Sequence, residues 1–303
     1  MACAAHAQGT APATGASVQD YRPVFQACHR PDGASRLAVR HMEIGGTGML
    51  LTVDPTTLIT SLEREQDWSC ADTSDDAQKE TRYILAVRTS AMPHAGPQPP
   101  VIVNGGLTHG SPSTGSFITG DLCPSNKPFD RRFLERLRAA DPMPALALSI
   151  SGAWLTHHGA DFQWLRDGER AGLWRIAWVD HSYHHPFVQG VAPAHNFLLT
   201  PGVDMQAEIL ETERLLIANG ATPSVFFRFP GLISNPALMR VTRDDHLIVL
   251  GADAWLAKSQ PVTPGGVILV HLNGNEPLGL KIFGGLLGGA KLPRPFRPVE
   301  DAP

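Results

Sequence analysis

Trp174-Arg175-Ile176-Ala177-Trp178-Val179-Asp180-His181-Ser182-Tyr183-His184-His185-Pro186 runs from a continuous apolar stretch straight into a cluster of ionisable side chains. An apolar run that does not alternate with polar residues reads as a strand covered on both faces. Similar runs recur at Val101–Val103, Ser116–Thr119, Ala145–Ile150, Ser224–Phe227, Leu247–Leu250 and Val267–Val270. Helical patterns lie between them, at Asp130–Ala140, Asp161–Arg170 and Pro201–Asn219. In the last of these Thr200 reads as the cap, Pro201 as part of the first turn and Gly220 as the stop. Strands alternating with helices predict a parallel α/β sheet, here a (β/α) barrel.

Working outward, the 303 residues include 43% hydrophobic and 18% charged side chains, a globular composition, while 29 Gly and 26 Pro forecast many loops. The net charge of −4 and the absence of a basic stripe exclude a nucleic-acid footprint, and no apolar run is long enough for a membrane span. Residues 1–20 are an Ala/Gly/Thr/Ser stretch, read either as a disordered tail or as the remnant of a signal peptide around Ala5-His6-Ala7. Residues 21–98 form a β-rich segment of unassigned role, with strands at Arg36–Ile44, Gly48–Val53 and Thr81–Ser90, a short helix at Thr57–Arg64 and a solvated loop at Ala71–Lys79. His94 to Pro100 reads as a linker. The barrel occupies 99–290, and 291–303 is an extended Pro-rich tail. Cys28 and Cys70 flank strand-like stretches, which suits a disulfide in an exported protein and equally suits two buried thiols. Oligomeric state is not readable.

Active sites of such barrels lie just past the C-terminal ends of the strands. Asp121, Asp180 with His181, Arg228, Asp253 and His271 each follow an apolar run, so the barrel reading gathers them on one rim. His181 and His185 are four apart, and one helical turn would aim both imidazoles at a single metal.

The order and spacing of His181-Ser182-Tyr183-His184-His185, Arg228-Phe229-Pro230-Gly231, Asp253-Ala254-Trp255 and Leu269-Val270-His271 resemble the polysaccharide deacetylases, the NodB homology domain of carbohydrate esterase family 4. The resemblance covers residues 99 to 285 and implies a distorted (β/α) barrel of the NodB-homology type, here with an extra β-rich N-terminal segment. It further implies a hydrolase that uses a divalent metal, usually zinc, to remove N-acetyl groups from an amino-sugar polymer. The signal-peptidase-like start and the Cys28/Cys70 reading point separately to export, to the periplasm or beyond. Carried over, His181 and His185 would hold the metal, and His271 would be the general acid, tuned by Asp253. Arg228 would hold the catalytic Asp121, and Trp255 and Pro230 would wall the sugar groove. The family's Thr-Phe-Asp-Asp-Gly is replaced by Thr119-Gly120-Asp121-Leu122-Cys123, which keeps a single acid; Asp180 is the candidate for the missing oxygen ligand. The alternative is a degenerate relative that binds glycan without hydrolysis. Cys123 as a nucleophile lacks a designated His–Asp partner in the sequence. Gly284–Gly289 reads as a flexible segment, His157-His158 as surface residues, and Asn104-Gly105-Gly106 with His109 as a rim loop.

Overall fold

The computed structural model describes residue 15 and residues 17–91, 99–111 and 113–303. The reading of the first 20 residues and of the His94–Pro100 linker falls mostly outside them.

Five N-terminal strands, β1 (Val18–His29), β2 (Ser35–Ile44), β3 (Thr47–Val53), β4 (Thr60–Arg64) and β5 (Ser69–Asp72), form an antiparallel sheet in the order β4-β3-β2-β1-β5. Pro23 sits inside β1, where shifts in the register with β2 accommodate its missing N–H. Cys28 and Cys70 face each other in the β1–β5 register and are joined as a disulfide. Helix α1 (Arg82–Ser90) and the two-residue strand β6 (Ile102–Val103) follow.

The main sheet contains β7 (Phe117–Leu122), β8 (Ala145–Ile150), β9 (Arg175–Asp180), β10 (Pro223–Phe227), β12 (Ile248–Val249), β13 (Ala254–Trp255) and β14 (Val267–His271). All its pairings are parallel, in the order β12-β10-β9-β8-β7-β14-β13. Short β11 (Ile233–Ser234) pairs with β6 instead. The helices are α2 (Arg131–Ala140), α3 (Gly152–His157), α4 (Gly159–Arg170), α5 (Met205–Ala218), α6 (Pro236–Asp244) and α7 (Pro277–Gly288). The result is a distorted (β/α) barrel with an additional N-terminal sheet. Its seam falls between β12 and β13, where Leu107 bridges to Leu250 and His109 to Gly266.

Two apolar layers explain the unbroken hydrophobic strands. On one face, Ile118, Leu122, Leu148, Ile150 and Ile268 pack on Phe133, Leu137, Phe162 and Phe283 from the helices. A second cluster joins Phe117, Ala147, Val225 and Val267 to Leu37, Val39 and Leu51 of the N-terminal sheet and to Tyr83 and Val87 of α1. Phe117 and Val267 are the first residues of their strands, so the N-terminal sheet closes the end of the barrel from which the strands start, and the other end is left for chemistry. A buried fork pins the two parts. Arg40, fully buried, donates Nε to Glu213 Oε2 at 2.7 Å and Nη2 to Oε1 at 3.0 Å, while Tyr21 donates its hydroxyl to the same carboxylate at 2.9 Å.

Several local expectations are corrected. Residues 57–64 are not a helix: Asp54 Oδ1 accepts from the amides of Thr56 and Thr57, tying an Asx turn that feeds β4. Residues 82–90 are a helix, with the Thr81 hydroxyl accepting from Ile84 N; the spacing of buried Tyr83, Ile84, Ala86 and Val87 is helical, although β-branched residues are frequent there. Helix α5 begins at Met205 under an Asp204 cap, leaving Thr200 and Pro201 in a turn. Gly284 and Gly285 lie within α7. The Pro-rich end is not a free extended tail: it docks with Leu292, Phe296, Val299 and Ala302 buried and closes in a 3-10 turn over Val299–Asp301.

Candidate active site

Strand alternation sets the first part of the site. Along β7, Ile118 and Leu122 face the helices, so Thr119, Asp121 and the following Cys123 face the opposite way. Arg228, directly after β10 and fully buried, donates from Nη1 to Thr119 Oγ1 at 2.8 Å and to Asp121 Oδ1 at 2.7 Å. Its Nη2 donates to the Gly251 carbonyl at 2.8 Å. Burial pushes the Asp121 carboxyl up, but Arg228, with His181 and His271 beyond it, outweighs that and holds it below the ordinary carboxylate value. Asp121 is therefore an anion at neutral pH.

His181 follows β9. Its Nδ1 lies 2.8 Å from the main-chain carbonyl of Arg228, and because a carbonyl only accepts, that nitrogen carries a proton and Nε2 is directed toward Cys123. Burial lowers the basicity of the ring, but Asp121 and Cys123 outweigh that and raise it above the ordinary value. The expectation of one helical turn between His181 and His185 is replaced by a loop in which Ser182 and His185 have φ of 65° and 49°. The start of α3 anchors this loop, Gly152 N donating to Ser182 O at 3.2 Å and Ala153 N to Tyr183 O at 2.8 Å. The loop still brings the imidazoles together, with ring centroids 4.8 Å apart. His184 turns away to Glu208, its Nδ1 2.6 Å from Oε1.

Asp180 does not join the two histidines. Its Oδ1 accepts from Ser182 N at 2.7 Å, its Oδ2 is buried without a partner, and burial with Glu213 nearby pushes its carboxyl well above the usual range. The group that does join them is Cys123, whose Sγ lies 3.5 Å from His181 Nε2. Cys123, His181 and His185 each offer a ligand atom, all within 4.8 Å of one another. Burial opposes ionisation of the thiol, but His185, His271 and His181 overcome it and push the Cys123 thiol well down. His185 Nε2 is buried and lacks a hydrogen-bond partner. An imidazole and a thiol gathered around an unpartnered ring nitrogen fit a divalent metal. A tetrahedral zinc, with bonds of about 2.3 Å to sulfur and about 2.0 Å to nitrogen, needs such donors about 3.5 Å apart.

On the other side stands His271, the last residue of β14, whose register partner on β7 is Asp121. The acid beside it is Glu276, with Oε2 2.7 Å from His271 Nδ1, where sequence reading proposed Asp253. Burial works against protonation of His271, yet Cys123, Glu276 and Asp121 raise its basicity well above an ordinary histidine. Glu276 Oε2 also accepts from Trp255 Nε1 at 2.7 Å, and the Trp255 ring stacks on His271 with centroids 5.6 Å apart. Asp253 precedes β13, and its amide donates to the carbonyl of Val267, the first residue of β14. It therefore lies at the opposite end of that strand from His271, held by Thr263 Oγ1 at 2.6 Å and facing His109 at 3.4 Å. Pro230 is buried, and the next residue, Gly231, has φ 62° and no room for a Cβ against the Phe197 ring. Trp154 belongs to the core.

Sequence reasoning missed two members of this site, Cys123 as a neighbour of the histidines and Glu276 as the partner of His271. The signal for the first was the period of two along residues 119–123. For the second it was an acid immediately before Pro277, the residue that opens α7.

No protein-family profile matches the chain. Among solved structures it is similar to a family 4 carbohydrate esterase from Bacillus anthracis, at 17% identity and a TM-score of 0.47, covering 66% of this chain and 87% of that one. It is also similar to PdaA, a family 4 carbohydrate esterase of Bacillus subtilis, at 12% identity and a TM-score of 0.47, covering 65% and 84% of the two chains. A third is described as a pseudoenzyme of that family from Bacillus anthracis, at 14% identity and a TM-score of 0.41, covering 63% and 67%. At these identities the functional reading rests on the residues themselves.

Proposed function

We propose that the protein is a metal-dependent amidohydrolase that removes N-acetyl groups from an amino-sugar polymer. One observation carries the reading: His181 and His185 converge beside an Arg228-held Asp121, with a Glu276-paired His271 on the neighbouring strand end. An amide is a poor electrophile and its amine a poor leaving group, so hydrolysis needs both a base for water and a proton donor for nitrogen.

His181 and His185 would hold the metal, whose contribution when bound is to polarise the substrate carbonyl as a Lewis acid. Asp121, fixed by Arg228, takes a proton from water as the water oxygen bonds to the acetyl carbon. His271, kept protonated by its acidic neighbours, gives a proton to the nitrogen as the carbon–nitrogen bond breaks, leaving acetate and a free amine. Glu276 orients the imidazole and anchors Trp255, whose ring stacks on that imidazole. The Cys28–Cys70 disulfide supports an oxidising compartment and so export.

Elemental analysis of chelator-free protein, beside a His181→Ala control, together with acetate release from N-acetylated glucosamine oligomers, tests this. Near one zinc per chain, lost in the control, with acetate released, is the expected result. Absence of metal after zinc is added back, with glycan binding retained, moves the assignment to a binding protein on the same frame.

A further inference from the structure

We propose that Cys123 supplies the third protein donor of the metal centre, so that the site is a thiolate–imidazole–imidazole site formed by Cys123, His181 and His185. This rests on the metal-dependent reading above and names its ligand set. The residue that follows Asp121, where the related motif carries a second acid, is Leu122, and its side chain is wholly buried among Phe133, Leu148 and Trp154 on the helix side of the sheet. No ligand can come from that position. The next residue points back across the sheet: Cys123 Sγ lies 3.5 Å from His181 Nε2, and His185 completes a set whose ligand atoms all fall within 4.8 Å of one another.

Each member is held from behind. Asn273, fully buried, donates Nδ2 to the Cys123 carbonyl at 2.8 Å. The Arg228 carbonyl fixes the His181 ring with Nε2 directed inward. His185 Nε2 is buried with no hydrogen bond to satisfy it, a cost that a metal bond removes. Asp180, the nearest acid in sequence, is committed to the Ser182 amide. Because Cys123 takes the ligand position, Asp121 has no need to divide its carboxylate between metal and water. A thiolate also changes metal preference. It selects zinc or cobalt over the hard, oxygen-seeking manganese and magnesium.

The test is anaerobic titration of the metal-free full chain with cobalt(II), read by absorption. A Cys3→Ser background leaves Cys123 as the one free thiol, since Cys28 and Cys70 are joined. The expected result is one cobalt per chain with a near-ultraviolet thiolate-to-cobalt band, reversed by zinc. Cys123→Ser abolishes the band and weakens zinc binding by more than the roughly 10–100-fold that loss of an outer-shell partner costs. Cys123→Asp restores binding without the band and shifts preference toward manganese, which also shows that the position tolerates substitution without unfolding. Stoichiometric cobalt that is lost in His181→Ala but gives no thiolate band, with zinc affinity unchanged in Cys123→Ser, overturns the proposal and leaves the metal-dependent reading standing. Failure of the unsubstituted protein to bind any metal overturns both.

Discussion

Arg228 reaches Asp121 with a 2.7 Å hydrogen bond, and the same residue's main-chain carbonyl fixes His181, so one residue sets both the proposed base and a metal-ligand candidate. Replacing Arg228 by Met leaves a buried carboxylate without its counter-charge, a change that costs on the order of 3–5 kcal/mol when a buried pair is broken from one side. Chemical denaturation is expected to show that loss. Asp121→Asn leaves the fully buried Arg228 guanidinium without its carboxylate, so it should cost stability on a similar scale and in addition lower turnover by about 10²-fold or more. Stability unchanged from the parent in both variants would contradict the assignment of Arg228 as the holder of an ionised Asp121.

The acid that matters to His271 is decided by position along β14. Glu276 is 2.7 Å from the ring, whereas Asp253 is at the strand's other end, hydrogen-bonded to Thr263. Glu276→Gln should therefore lower kcat by about 10-fold or more with little change in KM, because an interaction used in proton donation is weakened. Asp253→Asn should leave kcat within about twofold. The reverse pattern would return Asp253 to the role that sequence spacing suggests.

Much of the barrel was legible because its strands are buried on both faces and therefore uninterrupted, as Ala145–Ile150 and Trp174–Val179 show. The N-terminal segment was harder. Its β1 carries Pro23 and is half-buried along most of its length without a period of two, and α1 is rich in β-branched residues, so local preference pointed the wrong way until Tyr83 and Val87 found a core. In the site, the structure brings Asp121, His181, Arg228 and His271, each read next to a strand end, close to one another, but sequence adjacency misled for partners. Asp180 is beside His181 in the chain and turned away from it in space. Cys123 is 58 residues away and touches it. Three-dimensional neighbours across parallel strands leave no local trace beyond the alternation that orients each one.

The Arg40–Glu213 fork makes the N-terminal sheet part of the barrel's stability rather than an appendage. Both side chains are almost completely buried, and Tyr21 adds a third hydrogen bond to the same carboxylate. Arg40→Met and Glu213→Gln are each expected to destabilise by about 3–5 kcal/mol, and the double variant by clearly less than their sum, since neither charge is then stranded. Urea denaturation of the three variants gives the coupling. Strict additivity would mean that the two residues act independently and that the fork does not pin the sheet.

Acid sensitivity should trace in part to Asp54. Partial burial pushes its carboxyl up, but the amides of Thr57 and Thr56 and the Arg36 guanidinium outweigh that and lower it below the ordinary value. A carboxylate more acidic in the folded than in the unfolded chain contributes stability above the unfolded value of about 3.9, and that stability is lost as pH falls through the folded value. Asp54→Asn keeps an oxygen that can accept from the turn amides but has no charge to titrate. The difference in thermal midpoint between the parent and this variant should therefore be constant above about pH 5 and shrink as pH drops below about 4. A difference that stays flat or widens down to about pH 2 would mean that the Asp54 turn is held by geometry alone and that its charge contributes nothing to the entry into β4.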